Sequence, residues 1–361
     1  LIKIPGDMLE GGGQIIRTAL ALAALLREDI HLINVRGGRR PPGLKAQHAT
    51  GVKAVAAVSN AEVEGLEIGS RELYFRPKTV NGGIFRFDVG TAGSVSLVLQ
   101  AIMPALAFSS TRTEISITGG TDVKWSPTID YLRLVALPTL FKMGYKAHLT
   151  VKRRGHYPKG GGEVVMTVDP VEKLRGIQLS RRGEILKVGG VSHCVNLPAH
   201  VADRQASSAE RYLERVGLSR VDVEVVREVL SGLCPGSGIT LYAASSEGCI
   251  LGADALGEKG KPAERVGEEA AAKLVEEIQS QMCLDRHMGD MIIPYMAVAE
   301  GRSQVTTSKI TLHTLTNIRV SELITGVKFE VKGGLNQPGS VSVEGLGLTA
   351  RDTSHSTSTP P

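Results

Sequence analysis

An α/β fold built by internal repetition is what this 361-residue chain predicts. Three observations carry the prediction. A glycine turn, helix, β-run, Gly-Gly pair, proline, helix and strands recur after about eighty residues, as Asn34-Val-Arg-Gly-Gly38 and Ser116-Ile-Thr-Gly-Gly120 show. A third copy opens near Gly289. Between the second and third copies lies an excess of about a hundred residues, enough for a small domain. A repeat of this size implies duplicated βα units packed around a shared centre.

In the first copy Glu10-Gly-Gly-Gly-Gln-Ile-Ile-Arg17 opens a helix that ends near residue 27, followed by a β-run at 30–35 and Arg36-Gly-Gly-Arg-Arg40. Pro41, Pro42 and Gly43 punctuate before a helix to about 58 and short strands near 63–68 and 72–76. The second copy has a strand at 84–89, the turn Gly90-Thr-Ala-Gly-Ser94, a helix at 94–106, a strand at 113–118 and Gly119-Gly120. Pro127, a helix to about 143 and strands near 146–152 and 163–168 complete it. The third supplies a short helix, a β-run at 303–306, a helix after His313, and strands near 327–331 and 341–343. The excess reads as a strand at 185–188, a helix at 202–216, a strand pair at 239–244 and 249–253, and a periodic Ala/Glu helix at 264–281. The expected organisation is therefore one body from 1–182 and 283–348, an inserted small α/β domain at 183–282, and a disordered Ser/Thr/Pro-rich tail at 349–361.

The net charge of +5 permits an anionic partner without demanding one. Aromatics are only 4%, so platforms for stacking bases are sparse. Cys194, Cys234, Cys249 and Cys283 show no CxxC spacing, which argues against a zinc-ribbon site and for reduced thiols in a cytosolic protein. A Cys194–Cys249 bridge stays open. No segment is long and apolar enough to span a membrane, no signal peptide is evident, and Leu1 in place of methionine implies that a few residues have been lost.

Each candidate motif has a functional and a structural reading. Glu10-Gly-Gly-Gly-Gln14 suits a phosphate-cradling turn or an ordinary tight turn; Glu10 would bind a metal or cap the helix. Arg36, Arg39 and Arg40 stand on a glycine hinge, with Arg17, Lys45, Gln47 and His48 as possible neighbours. Their forks suit phosphate oxygens, although a charge run is often a solvated face. Gly90–Ser94 is a second candidate anion turn, before an apolar helix in which Gln100 needs a partner. His156-Tyr-Pro-Lys-Gly-Gly-Gly-Glu163 reads as a hairpin turn, and Asp290 as a plain cap. His313 stands at a strand-to-helix junction, where backbone N–H groups favour an anion. It is either a nucleophile towards phosphate or a capping histidine.

Taken together, five stretches in order (Glu10–Arg17, Arg36–His48, Gly90–Gln100, His156–Val164 and His313–Glu322) resemble the RNA 3′-terminal phosphate cyclase family. The resemblance runs from Glu10 to about Gly347. It implies three tandem βαβαββ-type repeats, similar to the C-terminal domain of translation initiation factor 3, with a small α/β domain inserted before the third. It implies ATP-dependent conversion of an RNA 3′-phosphate to a 2′,3′-cyclic phosphodiester, with ATP and divalent magnesium or manganese. His313 matches the histidine that becomes adenylylated, and Glu10 a carboxylate near the metal. Arg17, Arg36, Arg39 and Gln47 match residues around the phosphates, with His48 adjacent. Gln100, Pro127 and the loop His287, Met288, Gly289, Asp290 and Met291 match the surroundings of the adenylate. His287 departs from bacterial members, which present tyrosine to adenine there.

The expected partner is RNA with a 3′-phosphate end, no membrane is involved, and the expected location is cytoplasmic. Two rivals are a catalytically inactive cyclase-like ribosome-assembly protein, which would lack the nucleophile, and an enolpyruvyl-transferase-like enzyme, which also combines repeats with basic clusters.

Overall fold

The computed structural model describes residues 1–218 and 221–354. Alternating burial, as in Gly162–Asp169 with every second side chain inward, makes half-buried strands whose covered faces meet helices.

The first sheet is formed by β1 (Ile2–Pro5), β2 (Ile30–Ile33), β3 (Glu62–Glu64) and β4 (Leu73–Arg76), with α1 (Gly13–Leu26) and α2 (Ala46–Ser59) on its path. Its spatial order is β1-β2-β4-β3, with β1 and β2 parallel and the other pairs antiparallel. The second contains β5 (Gly83–Asp88), α3 (Val95–Leu106) and β6 (Thr113–Gly119). A helical stretch follows, α4 (Ile129–Tyr131), a π-turn Leu132–Ala136 and α5 (Leu137–Phe141), and then β7 (Lys146–Arg153) and β8 (Gly162–Asp169). Its order, β5-β6-β8-β7, is that of the first sheet.

A two-residue strand, β9 (Gln178–Leu179), comes next, ahead of the excess. The excess holds β10 (Ile185–Val195), α6 (His200–Leu213), β11 (Asp222–Leu230), β12 (Gly236–Ser245), β13 (Ile250–Leu256) and α7 (Ala263–Gln279). Its sheet runs β11-β10-β12-β13 and has its own apolar core, including Val188, Ala206, Leu241, Leu251, Ala270 and Leu274. The chain returns through α8 (Met288–Met291), α9 (Ile293–Val298), β14 (Arg302–Thr307), α10 (Leu312–Thr325), β15 (Phe329–Lys332) and β16 (Gly339–Glu344). Here β14 pairs in parallel with β9 and antiparallel with β16, in the order β15-β16-β14-β9. Read from its other edge, this is again first, second, fourth, third.

One expectation changes, and one open alternative closes. Residues 350–354 are not a loose tail but a short helix, α11 (Ala350–Ser354), docked by Thr353, whose buried hydroxyl donates to the Phe108 carbonyl at 3.1 Å. The remainder of that expected tail, 355–361, lies outside the described residues. The Cys194–Cys249 bridge is absent: all four cysteines are unpaired and buried.

The main core joins the three similar sheets through their helices. Helix α1 is apolar nearly all round and packs against α2, α3 and α10. This central bundle fixes where the helix beginnings emerge.

Candidate active site

Four helices begin at one cleft of about 1140 Å³. Its wall includes Gly13 and Gln14 from α1, Ala46, Gln47 and His48 from α2, Gly93 and Leu97 at the start of α3, and His313 from α10. Each beginning carries backbone N–H groups without helical partners and the positive end of a helix dipole. Arg17, Arg36, Arg39, Arg40, Lys45 and Lys124 add side-chain cations. The combination is an anion site built for several phosphates.

Glycine makes the approach possible at two places. Gly11 has φ +61, and a Cβ there would lie 2.8 Å from Gly38 Cα. The first turn therefore closes on the arginine turn, and Gly38 N–H donates to the Gly11 carbonyl at 3.0 Å. At Gly13 a Cβ would stand 2.4 Å from His48 Nε2.

Glu10 is held where these turns meet. Its Oε2 accepts from Gly12 N–H at 2.8 Å, its Oε1 pairs with Arg39, and its own N–H donates to Thr316 Oγ1 at 3.2 Å. His313 Nδ1 lies 4.0 Å from Glu10 Oε1. That nitrogen is buried and lacks a hydrogen-bond partner among the described residues, while the side chain as a whole is 44% exposed. Thr311 caps α10 by accepting from Thr314 N–H at 3.1 Å, so the histidine ring is left out of the capping. Burial, opposed by Glu10 and helped by Arg17, Arg39 and His287, pushes the His313 pKa below its ordinary value. The imidazole is neutral near pH 7, the form that can act as a nucleophile.

Beneath this pair, Arg17 donates to Gln14, and Gln14 Nε2 donates to Asn317 Oδ1 at 2.8 Å. Asn317 Nδ2 in turn donates to the Asp290 carbonyl at 2.7 Å. This chain of amides ties α1, α10 and α8 together. Burial brings the Arg17 pKa down to about 10, with Glu10 and Asp290 opposing, so the guanidinium keeps its charge. Burial also lifts the Asp290 carboxyl well above the usual range. His48 is brought down to about 3 by burial and by Arg17, Arg36 and Lys45. Its Nδ1 accepts from Lys45 N–H at 3.2 Å, which leaves Nε2 as the protonated nitrogen, a neutral donor on the cleft wall.

Twelve sequence-predicted residues line this one cleft: Glu10, Arg17, Arg36, Arg39, Gln47, His48, Gln100, Pro127, His287, Asp290, Met291 and His313. Met288 and Gly289 do not; they are buried beneath it. Arg36 differs from a solvated cation: it is 6% exposed, and its Nη1 donates to the carbonyls of Pro41 and Gly43 at 3.1 and 2.8 Å. Gln47 Oε1 accepts from Ser94 N–H at 3.0 Å, joining α2 to α3. Gln100 finds Met291 Sδ at 3.7 Å. Asp290 is not a cap; Asp285 caps α8 instead, accepting from His287 and Met288 N–H at 2.9 and 3.0 Å.

Sequence reasoning missed Trp125, Tyr131 and Asp254 on the far wall. Trp125, the only tryptophan, is 96% exposed with φ +62, and its solitary place beside Pro127 was a usable signal. Tyr131 meets the His287 ring edge-on at 6.0 Å. Asp254 comes from β13 of the excess and accepts from Thr128.

The model of the RNA 3′-terminal phosphate cyclase family matches residues 8–331. An RNA 3′-terminal phosphate cyclase of Ignicoccus hospitalis is 49% identical over 350 residues, 96% of this chain and 99% of that one. Those of Pyrobaculum aerophilum and Pyrococcus furiosus are 46% and 47% identical, over 96% and 95% of this chain and 99% and 98% of theirs. With the match running from before Glu10 through His313, this chain belongs to the RNA 3′-terminal phosphate cyclase family.

Proposed function

We propose that the protein is an ATP-dependent RNA 3′-terminal phosphate cyclase, converting an RNA 3′-phosphate into a 2′,3′-cyclic phosphodiester. The carrying observation is a neutral His313 at the first turn of α10, beside Glu10, in a cleft framed by four helix beginnings and arginine forks. Glu10 beside Nδ1 favours a proton there, which leaves Nε2 with the lone pair. That nitrogen attacks the α-phosphorus of ATP; the bond to the pyrophosphate oxygen breaks, and His313 carries AMP. An oxygen of the RNA 3′-phosphate then takes AMP from His313. The 2′-hydroxyl, losing its proton, attacks the 3′-phosphorus and AMP departs. This last attack is intramolecular, so proximity supplies much of it. Arg17, Arg39 and the helix beginnings stabilise negative charge as it shifts among the phosphates.

A single carboxylate, Glu10, fits a magnesium or manganese ion held mainly by phosphates and water. Such an ion, when bound, offsets phosphate charge. Gln100, Pro127, His287 and Met291 are assigned to the adenosine, with Trp125 and Tyr131 as further aromatic surface. Met288 and Gly289 support that wall from below.

We also read the three similar sheets as copies of one βαβαββ unit. The third copy is split after β9 by a separately cored domain, so the insertion lies within the third copy. Unpaired cysteines suit a reducing compartment, and we place the reaction in the cytoplasm. An inactive relative would lack the nucleophile that His313 supplies. Family membership disfavours the enolpyruvyl-transferase reading.

Incubation with α-labelled ATP and magnesium tests the proposal. Wild-type protein should carry acid-labile, alkali-resistant AMP, and His313→Asn should carry none while keeping its circular dichroism. Equal labelling of the variant would remove His313 from this role.

A further inference from the structure

Away from the cleft, the chain gathers a second set of ligand-type side chains where the 183–282 segment meets the second sheet. Asp122 follows β6, His156 lies in the β7–β8 turn, and His193 is on β10. All three are at least 95% buried, with exposures of 2%, 5% and 1%. One ligand atom from each falls within 4.8 Å of the others. The two Nε2 atoms face each other at 3.2 Å, and His193 Nε2 lies 3.8 Å from Asp122 Oδ2. In a tetrahedral site with metal–nitrogen bonds of about 2.0–2.1 Å, neighbouring ligand atoms stand about 3.3 Å apart.

We propose that Asp122, His156 and His193 bind one divalent transition-metal ion, zinc by the chemistry of the donors, and that this ion pins the 183–282 segment to the rest of the protein. The surroundings are built for it. Strand β12 carries no side chain at Gly236, where a Cβ would lie 2.2 Å from His156 Cγ, nor at Gly238, where it would lie 3.1 Å from His193 Cε1. The carboxylate is aimed by Thr121 Oγ1, which donates to Oδ2 at 2.6 Å, and by Arg154 Nη1 at 3.3 Å. Its Oδ1 is buried and has no partner among the described residues. Arg154 and Arg133 face Asp122, Asp130 and Glu228, so the cluster holds one more carboxylate than guanidinium groups. A divalent cation with two neutral imidazoles turns that single negative excess into a single positive one and gives the buried carboxylate a partner, whereas a bare imidazole pair leaves Oδ1 unsatisfied. Water completes four-coordination.

The test uses the full chain, stripped with a chelator and titrated with Co(II) in the absence of ATP. The expected result is one Co(II) per chain with intense visible bands of four-coordination and no thiolate charge-transfer band. Zinc should displace it and raise Tm. His156→Gln and His193→Gln should each weaken binding at least about tenfold and abolish the zinc-dependent Tm rise. His313→Asn should bind as wild type does. Absence of binding by wild-type protein would leave the two histidines a simple hydrogen-bonded pair and overturn the proposal. So would undiminished binding in both glutamine variants, or thiolate bands. Should a variant not fold, X-ray absorption of the wild-type zinc form decides. Two imidazoles, a carboxylate and one water oxygen support the site; any other set of protein ligands overturns it.

Discussion

Arg36 and Arg39 lie three residues apart but do different work, and their environments separate them. Arg36 is buried and spends donors on the Pro41 and Gly43 carbonyls, whereas the Arg39 side chain is 48% exposed and reaches Glu10. We predict that Arg39→Ala lowers His313 labelling at sub-saturating ATP by roughly ten- to a hundredfold, as expected for a lost charge-assisted phosphate contact, while Tm is unchanged. Arg36→Ala should lower both, because it leaves two loop carbonyls unpaired. A normal labelling rate in Arg39→Ala would return this side chain to solvent. A second residue-scale prediction concerns acid. Folded His48 takes up a proton only near pH 3, whereas the unfolded chain does so near 6.5. The unfolded state therefore binds more protons between those values, and stability is lost as pH falls through that window. His48→Gln should make the decline of Tm from pH 6.5 to pH 4 shallower; an unchanged slope would contradict this burial. Glu10, Arg17, Arg36, Arg39, Gln47 and His48 were legible because they sit in or beside short glycine-punctuated motifs, Gln100 because it is polar in an apolar helix, and His313 because it stands at a strand-to-helix junction, whereas Pro127, His287 and Met291 were assigned only through the family resemblance. Tyr131 and Asp254 were not legible, because no local pattern tells a side chain that lines a cleft from one that covers a core, and only tertiary packing brings them there; Trp125 differs, since its solitary place beside Pro127 was a signal left unused.

Helix beginnings are the elements that make the site, and their caps decide how firmly it is held. Thr311 is the N-cap of α10, with Thr314 reciprocating from its third position. We predict that Thr311→Ala costs about 1 kcal/mol of stability, read by urea denaturation, and slows His313 labelling, since the ring stands two residues beyond the cap. A stability loss with no change in labelling would show that α10 does not need this cap to present His313. Helix periodicity revealed α7 as 264–281 against the observed Ala263–Gln279, and α6 as 202–216 against His200–Leu213. The reading failed on β9, whose two residues are too few to show a period, and on most of β10, whose glycines break the alternation. Strand β11 was missed although Asp222–Leu230 alternates for part of its length; its exposed outer valines, Val226 and Val229, blur the apolar face.

At the scale of the whole molecule the 183–282 segment has its own core yet reaches into the wall of the cleft. Its Gly252 N–H donates to Asp285 Oδ2 at 2.8 Å, and Asp285 also accepts from Tyr131 at 2.6 Å and caps α8. Its Thr240 and Asp254 hold Thr128, next to Pro127. The bundle of α1, α10 and α2 that sets Glu10, Arg17, His48 and His313 takes no part in these contacts. Replacing residues 183–282 with a short linker should therefore act on one wall and spare the other. We predict a folded remainder by circular dichroism, a rise of roughly tenfold in the ATP concentration needed for half-maximal His313 labelling, and labelling at saturating ATP within a few-fold of wild type. The first effect follows because Asp285, which holds Tyr131 and His287, loses Gly252 N–H, and Thr128, next to Pro127, loses Thr240 and Asp254, a loss of about 1–3 kcal/mol for each buried group left unpaired. The second follows because the nucleophile and its carboxylate keep every partner. An unfolded remainder would show that the two cores are not separable. An unchanged ATP dependence would show that β13 and Asp285 do not shape the nucleotide wall.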